Sequence, residues 1–262
     1  MELAIIQTNP AFSKVQRNVD EALRSMERLE ADLYVLPELF NTGYNFISKD
    51  ELLSLAEPAA EGWTFERMAE FSQQRSCHVV YGFAEKDDGK VYNASALVGR
   101  GRLIGVYRKI HLYFREKLFF DEGDLGFRVF DTPLGRIGIM ICFDWYFPES
   151  ARSLALQGAE LIAHPANLVL PYCQDAMVTR CLENRVFAAT ANRVGEEDRG
   201  GVKLRFTGRS EVVTPEGGLL VRLSASKPEE GVVTVDIKTA KNKRLNALND
   251  LFSDRRVNSY MA

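Results

Sequence analysis

Three side chains able to do chemistry occupy the same kind of position in this chain. Glu38 follows the run Leu33 to Pro37, Lys109 closes the stretch Leu103 to Arg108, and Cys142 follows Ile137 to Ile141. Each stretch is short and apolar enough to be a strand buried in a sheet. Each of the three residues therefore falls just past a strand end, where open α/β sheets bind ligands. The set comprises a thiol that can attack, a carboxyl that can move protons and an ammonium that can steady negative charge. Alone, each has a structural explanation: a strand-end ion pair for Glu38 or Lys109, core packing for Cys142. Together they point to one site for covalent catalysis.

The stretch around the cysteine, IGIMICFDWYFPE from Ile137 to Glu149, predicts how the thiol is presented. After the apolar run, Asp144 is a turn residue, Pro148 suits the first turn of a helix, and Glu149 suits the dipole there. A strand bending into a helix aims the side chain at its tip outward and turns backbone N–H groups toward whatever binds beside it.

The remaining elements must hold these strand ends together. Leu3 to Gln7, a helix over Asn18 to Leu29 and Leu33 to Leu36 form a βαβ unit. A helix over Phe65 to Arg75 precedes strands at His78 to Ala84, Tyr92 to Val98 and Leu103 to Tyr107, with Asp88-Gly89 and Arg100-Gly101 in the turns. The glycines at 99, 101 and 105 nearly spell a phosphate loop, but the third is one residue late and no helix follows. Ile110 to Gly126 is a long connection rich in aromatics, hence a functional loop. Then come a helix to Gln157 closed by Gly158, a strand at Leu161 to His164 and a helix over Gln174 to Val186. Strands follow at Phe187 to Asn192, Arg209 to Val213, Leu219 to Leu223 and Val232 to Ile237. Leu245, Leu248 and Phe252 are spaced as one apolar stripe in a basic tail. With no linker or break in composition, the pattern is a single α/β domain, two packed sheets with outer helices.

The composition is that of an ordinary soluble chain: 262 residues, 46% hydrophobic, 26% charged, net charge -3. That balance gives no general attraction to nucleic acid or to an anionic membrane. No run of eighteen apolar residues and no basic leader is seen, so a cytoplasmic location is expected. Cys77, Cys142, Cys173 and Cys181 lack the spacing of a zinc or dithiol motif and are expected to be free thiols. Three scattered histidines offer no metal site. The glycosylation match Asn93-Ala94-Ser95 is expected to be empty.

The segments LPELFNTGY, YRKIHL and ICFDWYFPESARSLALQGAELIAHPAN resemble, in order and spacing, the three signature segments of the nitrilase superfamily, carbon–nitrogen hydrolases with a Glu-Lys-Cys triad. The resemblance covers the whole chain. It implies a four-layer αββα sandwich and a homodimer, or a higher homo-oligomer, formed through the sheet-flanking helices, with the tail at 240–262 reaching over the partner. It places Glu38 as general base, Lys109 as catalytic lysine, Cys142 as nucleophile and Glu116 as a second glutamate orienting the site.

Those residue types suit amide hydrolysis. An amide is a poor electrophile, so a thioester intermediate divides one hard step into two easier ones. The oxyanion needs fixed donors, for which the Lys109 ammonium and the backbone N–H of Phe143 are the candidates. Burial of Glu38 should raise its pKa, and Lys109 should favour the Cys142 thiolate. No metal and no cofactor are called for. Tyr44, Phe46, Tyr113, Phe114, Trp145 and Asn167 are expected to line a small aromatic pocket for a short neutral amide. The residues after Cys142 resemble those of amidases and carbamoylases rather than the Cys-Trp-Glu of many nitrilases. The alternatives are a nitrilase acting on small aliphatic nitriles, an N-carbamoyl amino acid hydrolase using Arg180 or Arg185, and a silent dimeric binding module. A Cys-His hydrolase is disfavoured, with His111 and His164 read as hydrogen-bonded structural residues.

Overall fold

A computed structural model describes residues 1–260. In chain order the elements are β1 (Glu2–Gln7), α1 (Val15–Glu27), β2 (Leu33–Val35), α2 (Lys49–Leu55), α3 (Trp63–Gln74), β3 (His78–Asp87), β4 (Lys90–Gly99) and β5 (Arg102–Arg108). There follow α4 (Glu116–Phe119), β6 (Val129–Thr132), β7 (Gly135–Ile139), α5 (Pro148–Leu156), β8 (Leu161–Pro165), α6 (Cys173–Asn184) and β9 (Phe187–Ala191). The chain ends with β10 (Glu196–Arg199), β11 (Val202–Arg205), β12 (Glu211–Val213), β13 (Leu219–Arg222) and β14 (Glu229–Thr234).

Two six-stranded sheets run β14-β1-β2-β3-β4-β5 and β6-β7-β8-β9-β12-β13, and β10 with β11 forms a separate hairpin. Read in these orders, both sheets have the same succession of pairings: antiparallel, two parallel, then two antiparallel. The fold is thus an internal duplication, with β7 and its elbow in one half standing where β1 stands in the other.

Strand alternation explains the unbroken apolar runs. On β1, Leu3 and Ile5 point into the core between the sheets, where Ile137, Ile139, Leu161 and Ala163 meet them, while Ala4 and Ile6 point to Val19 and Met26 of α1. Both faces of each central strand are buried, so both must be apolar. The result is a four-layer αββα sandwich, α1 and α3 outside one sheet and α5 and α6 outside the other.

Several boundaries differ from the sequence expectation. Helix α1 starts at Val15, and Asn18 lies inside its first turn, donating to the carbonyls of Ala11 and Asn41. The helices α2 and α4, strand β6 and the β10–β11 hairpin were not expected: all are short, and β10 is entirely charged. The α6 helix stops at Asn184 because Arg185 turns left-handed, and Ile237 lies beyond β14. The tail does not form one apolar stripe: Leu248 is 89% exposed, whereas Phe252 lies under Arg152 and Lys243. Of the tail at 240–262, the last two positions lie outside the described residues. Among the described residues no helix is long and apolar enough to cross a membrane.

Candidate active site

Glu38, Lys109 and Cys142 converge from three strand ends. Glu38 follows β2 in a turn that crosses β3, and Gly82 makes the crossing possible: a Cβ there would lie 2.5 Å from the Glu38 Cα. Lys109 leaves β5 with its ammonium turned into the fold. Cys142 sits at the tip of the bend between β7 and α5 with φ +41°. Leu39, beside Glu38, is left-handed at φ +47°. Such conformations cost a non-glycine residue about 1 kcal/mol or more and persist where surrounding contacts over-determine them.

At the elbow those contacts are made by Asp144. Its fully buried carboxylate accepts from the Ile141 N–H at 2.8 Å, the Tyr107 hydroxyl at 2.7 Å, and both the N–H and Nδ1 of His111. His164 adds a clamp, its Nε2 donating to the Cys142 carbonyl at 3.0 Å and its Nδ1 meeting the Thr190 hydroxyl at 3.0 Å. Since a carbonyl only accepts, the proton is on Nε2. Both histidines are hydrogen-bonded within the elbow, as the sequence suggests.

The Lys109 ammonium donates to Glu38 Oε1 at 2.6 Å and to Glu116 Oε1 at 2.8 Å, and all three side chains are buried. Burial alone would depress the lysine's pKa, but the two carboxylates outweigh it and hold the amine firmly charged. An ammonium has three N–H donors, so one remains. Glu38 Oε1 also accepts from Asn93 Nδ2 at 2.6 Å, whereas Glu38 Oε2 is buried without a partner. Burial raises the Glu116 pKa, and Lys109 opposes the rise.

The Cys142 thiol is pushed well above its ordinary pKa, first by burial and then by the Glu38 charge, with Lys109 pulling the other way. Lys109 acts in the expected direction, favouring the thiolate, but burial and the Glu38 charge outweigh it. Desolvation wins, and the resting sulfur is a neutral thiol.

A cavity of about 10 Å³ lies over Cys142, bounded by Tyr113, Phe143, Trp145, Asn167 and the run Leu168 to Leu170. That is room for roughly one water. Neither Oδ1 nor Nδ2 of the buried Asn167 has a hydrogen-bond partner. The other expected lining residues, Tyr44, Phe46 and Phe114, border a separate depression that includes Glu116. Tyr44 turns its hydroxyl to Glu116 Oε1 at 2.5 Å. Phe46 packs edge-on between Phe12 and Phe120. Phe114 is 56% exposed.

The sequence reading missed Asn93, Arg193 and Glu197 as site residues and took Asp144 only for a turn residue; all four are buried. Asn93 was discoverable: a carboxamide in the middle of the apolar run Tyr92 to Val98 needs a partner. Among the described residues no group of three or more His, Cys, Asp or Glu could hold a metal ion.

Comparison with known proteins identifies the family. Residues 2–245 match the family described as carbon-nitrogen hydrolase. The chain is 47% identical to a protein of Pyrococcus abyssi named nitrilase, with 99% of each covered. The carbon–nitrogen hydrolase of Helicobacter pylori G27 superposes with a TM-score of 0.88 at 25% identity, covering 99% of this chain and 97% of that one. The amidase from Nesterenkonia sp. AN1, in a variant whose active-site cysteine carries a Michael adduct of acrylamide, superposes at 0.78 with 26% identity, covering 98% and 97%. With three strand-end groups gathered in one buried cluster, a family match over most of its length and a fold shared with solved members, the chain belongs to the carbon–nitrogen hydrolases of the nitrilase superfamily.

Proposed function

We propose that the protein hydrolyses the non-peptide C–N bond of small neutral amides through a thioester on Cys142, releasing ammonia and a carboxylic acid. The observation that carries this reading is the unpartnered Oε2 of Glu38, buried in the cluster whose charges act on the Cys142 thiol. A buried carboxylate oxygen without a donor is costly. A thiol or water proton would supply one.

Cys142 Sγ attacks the amide carbon as its proton passes to Glu38. Because the resting thiol is neutral, attack and proton transfer are coupled. The carbonyl oxygen becomes an oxyanion beside the third N–H of Lys109 and the backbone N–H of Phe143. Collapse breaks the C–N bond, and Glu38 returns the proton to the departing ammonia. Glu38 then takes a proton from water, which adds to the thioester. The acid is released and the thiol restored. Glu116 keeps the lysine oriented throughout. The scheme uses side chains and water alone, and chelators should leave the rate unchanged.

Asn167 supports amides over nitriles, because a carboxamide offers both an acceptor and donors to the two idle atoms of its side chain, while a nitrile offers only an acceptor. The P. abyssi relative's name keeps a nitrile substrate as the second reading. Against carbamoyl amino acids, Arg180 donates to the Trp145 carbonyl and pairs with Glu183, and Arg185 is tied to Asn242 and Glu216. A homodimer through α5 and α6 is part of the proposal, supported by exposed Leu156 and Leu182 on those helices; light scattering of the purified protein measures it. A panel of short amides, nitriles and carbamoyl amino acids assayed for ammonia tests the substrate class. Faster turnover of a nitrile than of its matched amide would overturn the amide reading.

A further inference from the structure

Behind the cluster lies an ion pair that the proposed chemistry does not touch. Arg193 is fully buried and Glu197 nearly so, and Arg193 Nη1 donates to Glu197 Oε1. The pair is not an isolated piece of packing. Glu197 accepts the backbone N–H of Tyr44 on both oxygens, each at 3.2 Å, and that of Asn45 at 2.6 Å. Arg193 also donates to the Pro10 carbonyl at 3.2 Å, and its guanidinium lies 4.0 Å from the ring centroid of Phe206, whose edge meets the Tyr44 ring. Room for the carboxylate is made at Gly43, where φ is +84° and a Cβ would come within 2.9 Å of Glu197 Oε1.

Everything Glu197 holds leads to one hydroxyl. Tyr44 Oη donates at 2.5 Å to Glu116 Oε1, the same oxygen that receives the Lys109 ammonium. From the β9–β10 connection, then, a continuous chain of contacts runs through the 43–45 turn to the lysine. A stability role alone would be served as well by an apolar pair of similar size, since burying two charges is expensive. Fixing a backbone turn by its N–H groups requires an acceptor, and a charged acceptor holds it most firmly.

We propose that Glu197, anchored by Arg193, is a positioning residue for the hydrolysis proposed above: it sets the Tyr44 hydroxyl on Glu116 and thereby the aim of the Lys109 ammonium. The inference rests on that reading of the site. The titratable groups facing Glu116 are Lys109, Glu38, Tyr44, Cys142 and Tyr113, whose backbone N–H also donates to Glu116 Oε2, and the hydrogen bond from Tyr44 is one of the influences that lower the Glu116 pKa. Loosening Tyr44 therefore raises it further.

The test compares Glu197→Gln, Tyr44→Phe and the double variant with the wild type in ammonia release from the best amide. Glu197→Gln should reduce kcat by about 10- to 100-fold, the scale of a small misplacement of a catalytic group. KM should stay nearly constant, and the acid limb of kcat/KM should move to higher pH. Tyr44→Phe should do the same, and the double variant should be no worse than the worse single one. If Glu197→Gln does not fold, Phe206→Leu, which loosens both Arg193 and Tyr44, should show the same shift of the acid limb to a smaller extent. A folded Glu197→Gln with lowered Tm but unchanged kcat and acid limb, losses that multiply in the double variant, or an unmoved limb in Phe206→Leu, would overturn the positioning role. A wild type inactive on every amide and nitrile would instead remove the hydrolase reading on which it rests.

Discussion

Arg108 and Lys109 are neighbours in sequence at the end of β5, and both are gripped by carboxylates, yet only one belongs to the candidate site. Arg108 has every arm of its guanidinium occupied. Its Nε and Nη2 reach Glu85, Nη2 also reaches Asp87 and Nη1 reaches Asp124, while its plane lies 3.9 Å from the Tyr92 ring centroid. Lys109, turned the opposite way by strand alternation, meets two carboxylates and keeps one donor free. Its partner Glu38 keeps one oxygen free as well. A completed ion network stabilises a fold, whereas an incomplete one beside a thiol has capacity left for a substrate.

Substitutions should separate the two regions, beginning with the largest effect. Cys142→Ala should cut ammonia release by about 10⁴-fold or more while far-UV circular dichroism stays unchanged; residual turnover near wild type would remove Cys142 as the nucleophile. Lys109→Met should lower kcat by about 10²- to 10³-fold, the usual cost of losing an oxyanion donor, as read by steady-state kinetics. Arg108→Leu should behave oppositely. Leaving Glu85 buried without its partner should cost about 3 kcal/mol and lower Tm by roughly 10 °C, with kcat within about twofold of wild type. A large loss of kcat in the folded Arg108→Leu protein would erase the distinction between the regions.

The smallest effect concerns the clamp on the elbow. Burial pushes the His164 pKa down to about 4, while an unfolded imidazole titrates near 6.5. Between those values the unfolded state holds more protons, so stability falls as pH falls. Thermal melts should show a loss of about 2 kcal/mol from pH 7 to pH 5, and His164→Gln should flatten that dependence. An equal slope in both proteins would show that the buried imidazole is not its source.

How far the sequence was legible follows from the same physics. Continuous apolar runs identify strands buried on both faces, so the central strands and the residues just past their ends could be read directly. Glu38, Lys109 and Cys142 stand out because they interrupt apolar stretches. Glu116 was placed by resemblance alone. The duplicated sheet order was not legible, because pairing depends on contacts far apart in the chain. Hairpin β10–β11 is hidden by its composition: Glu-Glu-Asp-Arg reads as a solvated loop, and its partner strand, Val202–Arg205, is half charged. Arg193 and Glu197 escape notice for a related reason, since charged residues are expected at the surface and only the fold shows these two inside. Phe46 and Phe114 line the depression over Glu116 and not the cavity over Cys142, because aromatic content does not say which side of a loop faces which cavity.

The most direct test of the central claim is the mass of Cys142 after the Glu38→Gln variant has stood with a short amide. Glu38→Gln slows acylation and, by impairing proton transfer from water, deacylation as well, so after a long incubation the account predicts an acyl group retained on the peptide containing Cys142 and on none containing Cys77, Cys173 or Cys181. Continued ammonia release from that variant with an unmodified Cys142, or an acyl group on another residue, would contradict it.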